Sequence, residues 1–331
     1  MSEKITIIGA GAWGSALAQA CALAKNEVSL ICQFQKDANE INKTQKNKEF
    51  LGEQILSDKI TAYADYEQVK NASIVLMVVP AQVTSLILKA IPSGYLDNKP
   101  VLLCAKGLEE KTLFRQSEIL ENLVPLAKTM VLSGPSFAKD VAKGLPTAIT
   151  LAGKDKKESK QVALSLASAT FRPYISDDLI GVELAGSLKN VYALACGAVD
   201  GAGLGLSARS ALIARSYAEM RRIILAFGGQ SETLGSLAGI GDLTLSCTSN
   251  QSRNYWFGQQ LGMGKSVEEI KASGAKLAEG VISAPVAKAL AKTHNIDVPL
   301  IDAVNALLEG DIDIKQIVIS LMRRPLKEEG K

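Results

Sequence analysis

Along the first half of the chain, short runs of β-branched and aliphatic residues alternate with stretches whose polar positions recur at helical spacing. The runs are "KITIIGA", "EVSLIC", "ASIVLMVVP", "PVLLCAKG", "TMVLSGPS" and "PTAITLAG". Apolar on both alternating faces, they predict strands covered from both sides. Helices through Leu23 and around Asp37–Lys43 supply that cover, so the pattern predicts an α/β fold with a doubly wound, Rossmann-type parallel sheet. From about Val182 the period changes to long amphipathic or wholly apolar helices, such as "ELAGSLKNVYALACGAV" and "ARSALIARSYAEMRRIILAF", with no further strand. The domain boundary is placed near residue 180: a sheet domain over 1–180 and an all-helical domain over 181–331, ending in the charged tail "RRPLKEEGK". Ligands of open α/β sheets lie beyond the carboxyl ends of the strands, so the active site is expected between the two halves.

The first run leads directly into glycines. In "KITIIGAGAWGSALAQACALA" a secretory signal is one reading, but Gly9, Gly11 and Gly14 break the apolar block and Glu3 cancels Lys4. Strand, turn and helix fit G-x-G-x-x-G instead: Gly9 for the tight turn, Gly11 for approach to a pyrophosphate, Gly14 for close helix packing. The pyrophosphate would rest on the N–H groups of the helix opening near Trp13, which makes the first domain a candidate dinucleotide-binding domain.

Composition narrows the partners. A net charge of +3 over 331 residues, with no Lys/Arg block interleaved with aromatics, argues against nucleic acid. The longest apolar stretch, Ala72 to Gln82, is too short for a membrane span. Five dispersed cysteines without C-x-x-C spacing predict buried free thiols and a cytoplasmic protein. No residue spacing suggests a metal site. His294 is the only histidine and lies at a helix end before Pro299, so proton transfer near neutral pH falls to lysine, carboxylate or tyrosine.

Several segments carry candidate chemistry, each with a plainer alternative. Lys106 ends a buried strand, which is either a solvated loop or the place where cofactor and substrate meet. "SGPSFAKD" is a Gly-Pro turn whose Ser136 caps a helix, or a set of N–H groups and a hydroxyl for a small phosphorylated substrate. Lys189, beside Asn190 in an apolar helix, either snorkels outward or is desolvated in a cleft. Asp242 follows a glycine-rich turn. Ser252, Arg253 and Asn254 open a helix, where an N-cap with a surface arginine and a phosphate grip are both open. Glu279, before another helix, is a capping carboxylate or a site residue.

The order of these blocks is more specific than any one of them. "GAGAWGSALA", "VVPAQ", "AKGLE", "SGPSFAKDVAKGLPTAI", "GVELAGSLKNVYALACGAVDG", "ARSALIARSYAEM", "AGIGDLTLSCTSNQSRN" and "AEGVISA" together resemble the bacterial-type NAD(P)-dependent sn-glycerol-3-phosphate dehydrogenases, from Ile5 to about Arg324. The resemblance implies reversible NADPH- or NADH-dependent reduction of dihydroxyacetone phosphate to sn-glycerol 3-phosphate, the backbone of glycerophospholipids. It implies that Lys106, Gly134, Ser136, Lys189, Asp242, Ser252, Arg253 and Asn254 line the substrate. Ala12, Trp13, Gln33, Phe50, Lys106, Ala138, Arg253, Leu277 and Glu279 would border the cofactor, beside the three glycines. A homodimer is plausible for the family. Lys189 is assigned the proton transfer, with Lys106 as an electrostatic helper and Asp242 orienting Lys189. Two positions depart from the family pattern: Gln33 replaces a basic residue, leaving NADPH against NADH undecided, and Gly52 stands where a proline is usual, leaving the lid near Phe50 open. The alternatives are a related Rossmann hydroxy-acid dehydrogenase and a non-catalytic NAD(P) sensor.

Overall fold

The computed structural model describes residues 2–274, 278–310 and 312–323. They form two compact units, residues 1–105 with 114–182, and residues 106–113 with 183–331.

In the first unit the order is β1 (Lys4–Ile8), α1 (Ala12–Leu23), β2 (Glu27–Ile31), α2 (Gln35–Thr44), α3 (Lys48–Leu51), β3 (Ile60–Tyr63), α4 (Glu67–Lys70), β4 (Ile74–Met77), α5 (Thr84–Ala90), β5 (Pro100–Leu103), α6 (Gln116–Leu123), β6 (Lys128–Ser133), α7 (Ala138–Ala142), β7 (Thr147–Gly153), α8 (Lys156–Leu166) and β8 (Phe171–Ser176). The strands make one sheet in the order β3-β2-β1-β4-β5-β6-β7-β8. Sequence order reverses at β1, which pairs with β2 on one side and β4 on the other, and the glycine turn leaves the sheet at that switch point. The central strands are the wholly buried ones: β4 has no exposed position and β1 only Lys4.

The expected all-parallel sheet needs one correction, because β7 runs antiparallel to β6 in the register Leu132↔Leu151, and β8 then runs parallel to β7. A parallel return would have to cross back over the length of the six-residue β6, about 20 Å. The connection over residues 134–146 holds the five-residue α7, about 7 Å long, and instead of crossing back the chain re-enters from the end it left.

The second unit holds most of α9 (Leu179–Gly201), then α10 (Leu206–Ala226), α11 (Asp242–Thr248), α12 (Arg253–Gly262), α13 (Val267–Ala272), α14 (Glu279–Thr293), α15 (Pro299–Glu309) and α16 (Ile314–Met322). Every position of α9 from Gly181 to Leu194 is buried, so the helix is covered on every side. It is long and apolar enough to cross a membrane by composition alone, yet 94% of that window is buried inside the protein. Its crossing with α12 is set by four glycines at four-residue spacing: a Cβ at Gly258 would strike the Leu194 carbonyl, one at Gly262 that of Ala198, one at Gly197 that of Tyr255, and one at Gly201 that of Gln259. The two backbones touch where any side chain would hold them apart.

Candidate active site

In the first unit the three glycines have three separate reasons. Gly9 has φ +110°, a conformation suited to glycine, and a Cβ there would strike the Val78 carbonyl oxygen. At Gly14 a Cβ would strike the Gly9 carbonyl, which makes it the contact that lets α1 pack on the turn. Gly11 differs, with an ordinary backbone (φ −69°, ψ −176°) and, among the described residues, no atom within 4 Å of an added Cβ. Neither conformation nor packing requires glycine at that position, whereas the close approach of a pyrophosphate does. The indole Nε1 of Trp13, in the first turn of α1, is buried with no hydrogen-bond partner among the described residues. These residues fit a dinucleotide.

Beyond β2, Gln33 and Phe34 are exposed, and the Lys36 ammonium sits 5.4 Å from the Phe34 ring centroid. Ala138 starts α7 and packs partly buried against the core. Phe50 lies half-buried in α3. Gly52, which ends that helix, has φ +63°, so the proline usual in the family has no place in this local conformation. Gly134 also has positive φ, at +148°. Ser136 does not cap α7: its hydroxyl donates to the Gly134 carbonyl at 3.0 Å, and the N-cap position belongs to Phe137.

In the second unit a π-helical turn (Leu237–Gly241) delivers Asp242 to the start of α11. The Asp242 carboxylate, 1% exposed, accepts from Lys106 Nζ at 2.6 Å and from Lys189 Nζ at 2.8 Å. Lys189 also donates to Ser246 Oγ at 2.7 Å. Burial pushes the Asp242 carboxyl upward, but the two ammonium groups outweigh it and hold its pKa below the usual range. Burial lowers Lys106 to about 8; Asp242 opposes that shift and Lys189 adds to it. Lys106, read from sequence as the electrostatic helper, is thus itself a lysine with a lowered pKa.

A carboxamide relay holds the cluster. The Gly280 N–H donates to Asn254 Oδ1 at 2.8 Å, Asn254 Nδ2 to Asn190 Oδ1 at 2.8 Å, and Asn190 Nδ2 to the Lys106 carbonyl at 3.0 Å and to Glu279 Oε2 at 3.4 Å. Asn254, expected at the substrate, thus ties α9, α12 and α14 together. Ser252 caps α12, accepting from the Tyr255 N–H at 3.3 Å, and Arg253 in the first turn is exposed. Leu277 lies outside the described residues. Ser246 was not singled out from sequence, although its position four residues after Asp242, on the same helical face, was the available signal. His294 ends α14 against Phe227, with ring centroids 4.0 Å apart. Fifteen residues of helix, roughly 20 Å, separate it from Glu279. Among the described residues no cluster of three or more His, Cys, Asp or Glu side chains could hold a metal ion. Cys21, Cys32, Cys104, Cys196 and Cys247 are all buried.

Comparison with known proteins decides what these two sets of residues belong to. The models of the NAD-dependent glycerol-3-phosphate dehydrogenase N-terminus and C-terminus match residues 4–159 and 178–319. The chain belongs to this family. A glycerol-3-phosphate dehydrogenase [NAD(P)+] of Brucella canis is 44% identical over 99% of this chain and 100% of its own. One of Parvibaculum lavamentivorans is 43% identical over 99% and 98%. Among solved structures, glycerol-3-phosphate dehydrogenase from Coxiella burnetii superposes with a TM-score of 0.90 at 36% identity, covering 98% of this chain and 99% of that one. A D-mandelate dehydrogenase, with a TM-score of 0.63 at 15% identity over 95% of this chain and 99% of that one, shares the fold alone. As a member of the family the chain is an NAD(P)-dependent oxidoreductase, which sets the sensor alternative aside.

Proposed function

We infer that the chain reduces dihydroxyacetone phosphate reversibly to sn-glycerol 3-phosphate with NADPH or NADH. The observation that carries the chemistry is the buried Lys106–Asp242–Lys189 cluster, because adding hydride to a ketone carbon leaves charge on oxygen that needs a proton and a positive environment. Gly9, Gly11, Ala12, Trp13 and Gly14 hold the dinucleotide, with Gln33, Phe50 and Ala138 at its borders, and the nicotinamide supplies the hydride. Lys189 donates the proton to the carbonyl oxygen in reduction and takes it back in oxidation. Asp242 and Ser246 fix the direction of its Nζ, and Lys106 adds a second positive charge. Arg253 grips the substrate phosphate, where a guanidinium fork and a helix N-terminus act on the same dianion. Gly134 and Ser136 belong to the same reading as further substrate contacts. Cytoplasmic location, a homodimer and supply of glycerophospholipid synthesis complete it.

Turnover of a panel of phosphorylated and unphosphorylated polyols by purified wild type, Lys189→Met and Arg253→Lys tests this reading. Lys189→Met should lower turnover at least about a hundredfold with cofactor affinity nearly intact. Arg253→Lys should raise KM for dihydroxyacetone phosphate, since charge remains and the fork is lost. A folded Lys189→Met enzyme with near-normal turnover moves the proton to Lys106. Turnover of hydroxy acids in preference to phosphorylated polyols overturns the substrate assignment.

A further inference from the structure

Asn47 precedes α3 and occupies its N-cap position, where an asparagine side chain ordinarily takes an N–H of its own helix. It does not do so here. Its Nδ2 reaches back 37 residues to donate to the Ala10 carbonyl at 2.8 Å, and also donates to Ser15 Oγ at 2.8 Å. Asn47 is 8% exposed, although both of its partners belong to the glycine turn and the first turn of α1. The segment that carries it is closed on itself, with Lys46 bridged to Ile55 and the Leu56 N–H bonded to the Gln45 carbonyl at 2.7 Å. A second tie, from the Ser57 N–H to Gln19 Oε1 at 2.8 Å, fastens its far end to α1.

In a trans peptide the C=O and the following N–H point in opposite directions. Whatever holds the Ala10 oxygen therefore aims the Gly11 N–H. Among the described residues no atom lies within 4 Å of a Cβ built at Gly11, and the Ala10 oxygen is held by Asn47 Nδ2 at 2.8 Å and, more weakly, by the Ser15 hydroxyl at 3.4 Å. We propose that Asn47 is the positioning residue of the dinucleotide site: it locks the Ala10–Gly11 peptide with its N–H turned toward the pyrophosphate, and by the same bonds fixes the Phe50 segment to that turn. This rests on the glycine turn being the dinucleotide site. Asn47 itself touches neither cofactor nor reacting atoms.

The test is titration of NADPH and NADH into wild type, Asn47→Asp and Asn47→Ser, followed by tryptophan fluorescence, with steady-state kinetics alongside. Asp has the shape but no donor at neutral pH, and Ser is too short to span the gap. Loss of about one net hydrogen bond to the turn should weaken cofactor binding about tenfold in both variants. Turnover at saturating cofactor and KM for dihydroxyacetone phosphate should stay within about twofold, a split that general loosening of the fold would not give. Asn47→Asp should also regain cofactor affinity as pH falls toward about 5, because a protonated carboxyl again has a donor, while Asn47→Ser should not. Variants that bind within twofold of wild type overturn the proposal, as does Asn47→Asp binding with no pH dependence of its own. Failure of both variants to fold assigns Asn47 to stability and overturns it equally. Wild type that binds neither dinucleotide brings down the reading of the turn itself.

Discussion

Asp242→Asn keeps the shape of the side chain and removes the carboxylate that both Lys106 and Lys189 bond, at 2.6 and 2.8 Å. Asp242 is 1% exposed, so water cannot replace it. Breaking a buried ion pair by removing one partner typically costs about 3–5 kcal/mol, and here two like charges are left facing each other. The variant can relieve this by shedding a proton, and Lys106 is the group to lose it. Burial and Lys189 already lower Lys106 to about 8, while Asp242 is the main influence raising it. Below that pH the wild-type lysine is protonated in both folded and unfolded chains and adds no pH dependence. In the variant its folded pKa falls further, so the unfolded chain binds more protons than the folded one, and stability rises with pH by up to about 1.4 kcal/mol per unit. Asp242→Asn should therefore melt roughly 6–20 °C below wild type at pH 6.5, taking 2–4 °C per kcal/mol for a unit of this size. The gap should narrow by up to about 2 kcal/mol by pH 8. Thermal and urea unfolding of both proteins at pH 6.5, 7.25 and 8 measure it. A gap below about 1 kcal/mol at pH 6.5, or one that does not change with pH, would refute the account of the cluster as two cations held by one carboxylate.

Glu219 is 1% exposed and accepts the N–H groups of Leu300 and Ile301 at 2.9 and 3.0 Å, yet burial pushes its carboxyl up to about 7. A raised folded pKa gives stability that is fully present below the unfolded value near 4.5 and lost as pH rises through 7, so Glu219→Gln should remove a fall of up to about 3 kcal/mol across that window in wild-type unfolding curves. Parallel slopes for the two proteins would contradict it. Gly258→Ala places a methyl on the Leu194 carbonyl at the α9–α12 crossing and should cost about 1–3 kcal/mol or more by urea unfolding, and a neutral result would mean that the crossing yields without strain.

How far the chain could be read beforehand followed burial. β1, β4 and β5 are covered on both faces and stand out as unbroken apolar runs. β3 and β8 were missed because they are the two edges of the sheet. "ITAY" alternates buried and exposed positions, and "FRPYIS" buries only Phe171 while carrying a proline that a central strand would exclude. The reversal at β7 was hidden because strand direction depends on the length and path of a connection and leaves no mark on the strand's composition. Within the site, residue types and helix starts were legible, including the Ser252 cap and the opening of α12 by Arg253. Partner choice was not. Asn254 was placed at the substrate by resemblance; that its carboxamide also bonds Asn190 while its neighbour Arg253 is exposed could not be read, because consecutive helical residues point about 100° apart and their partners come from other helices.

The same logic explains why the perturbation of Lys106 was not legible in its sequence neighbours. From sequence, Lys189 is surrounded by apolar neighbours and Lys106 by a loop, so desolvation was assigned to Lys189. In the fold Lys189 donates to Asp242 Oδ1 and Ser246 Oγ, and Lys106 is buried too, so that its bond to Asp242 works against desolvation and a neighbouring cation. Residues 106–113 also pack with the second unit although they follow β5 in the chain, which is what brings the Lys106 backbone under the Asn190 carboxamide. Burial that comes from a segment's tertiary neighbours cannot be read from its sequence neighbours. The cluster as built carries two cations and one anion, a net charge that matches an oxygen turning negative during reduction. It also predicts a direction for pH: as the proton on Lys106 leaves above about 8, the reduction of dihydroxyacetone phosphate loses part of that charge and should slow.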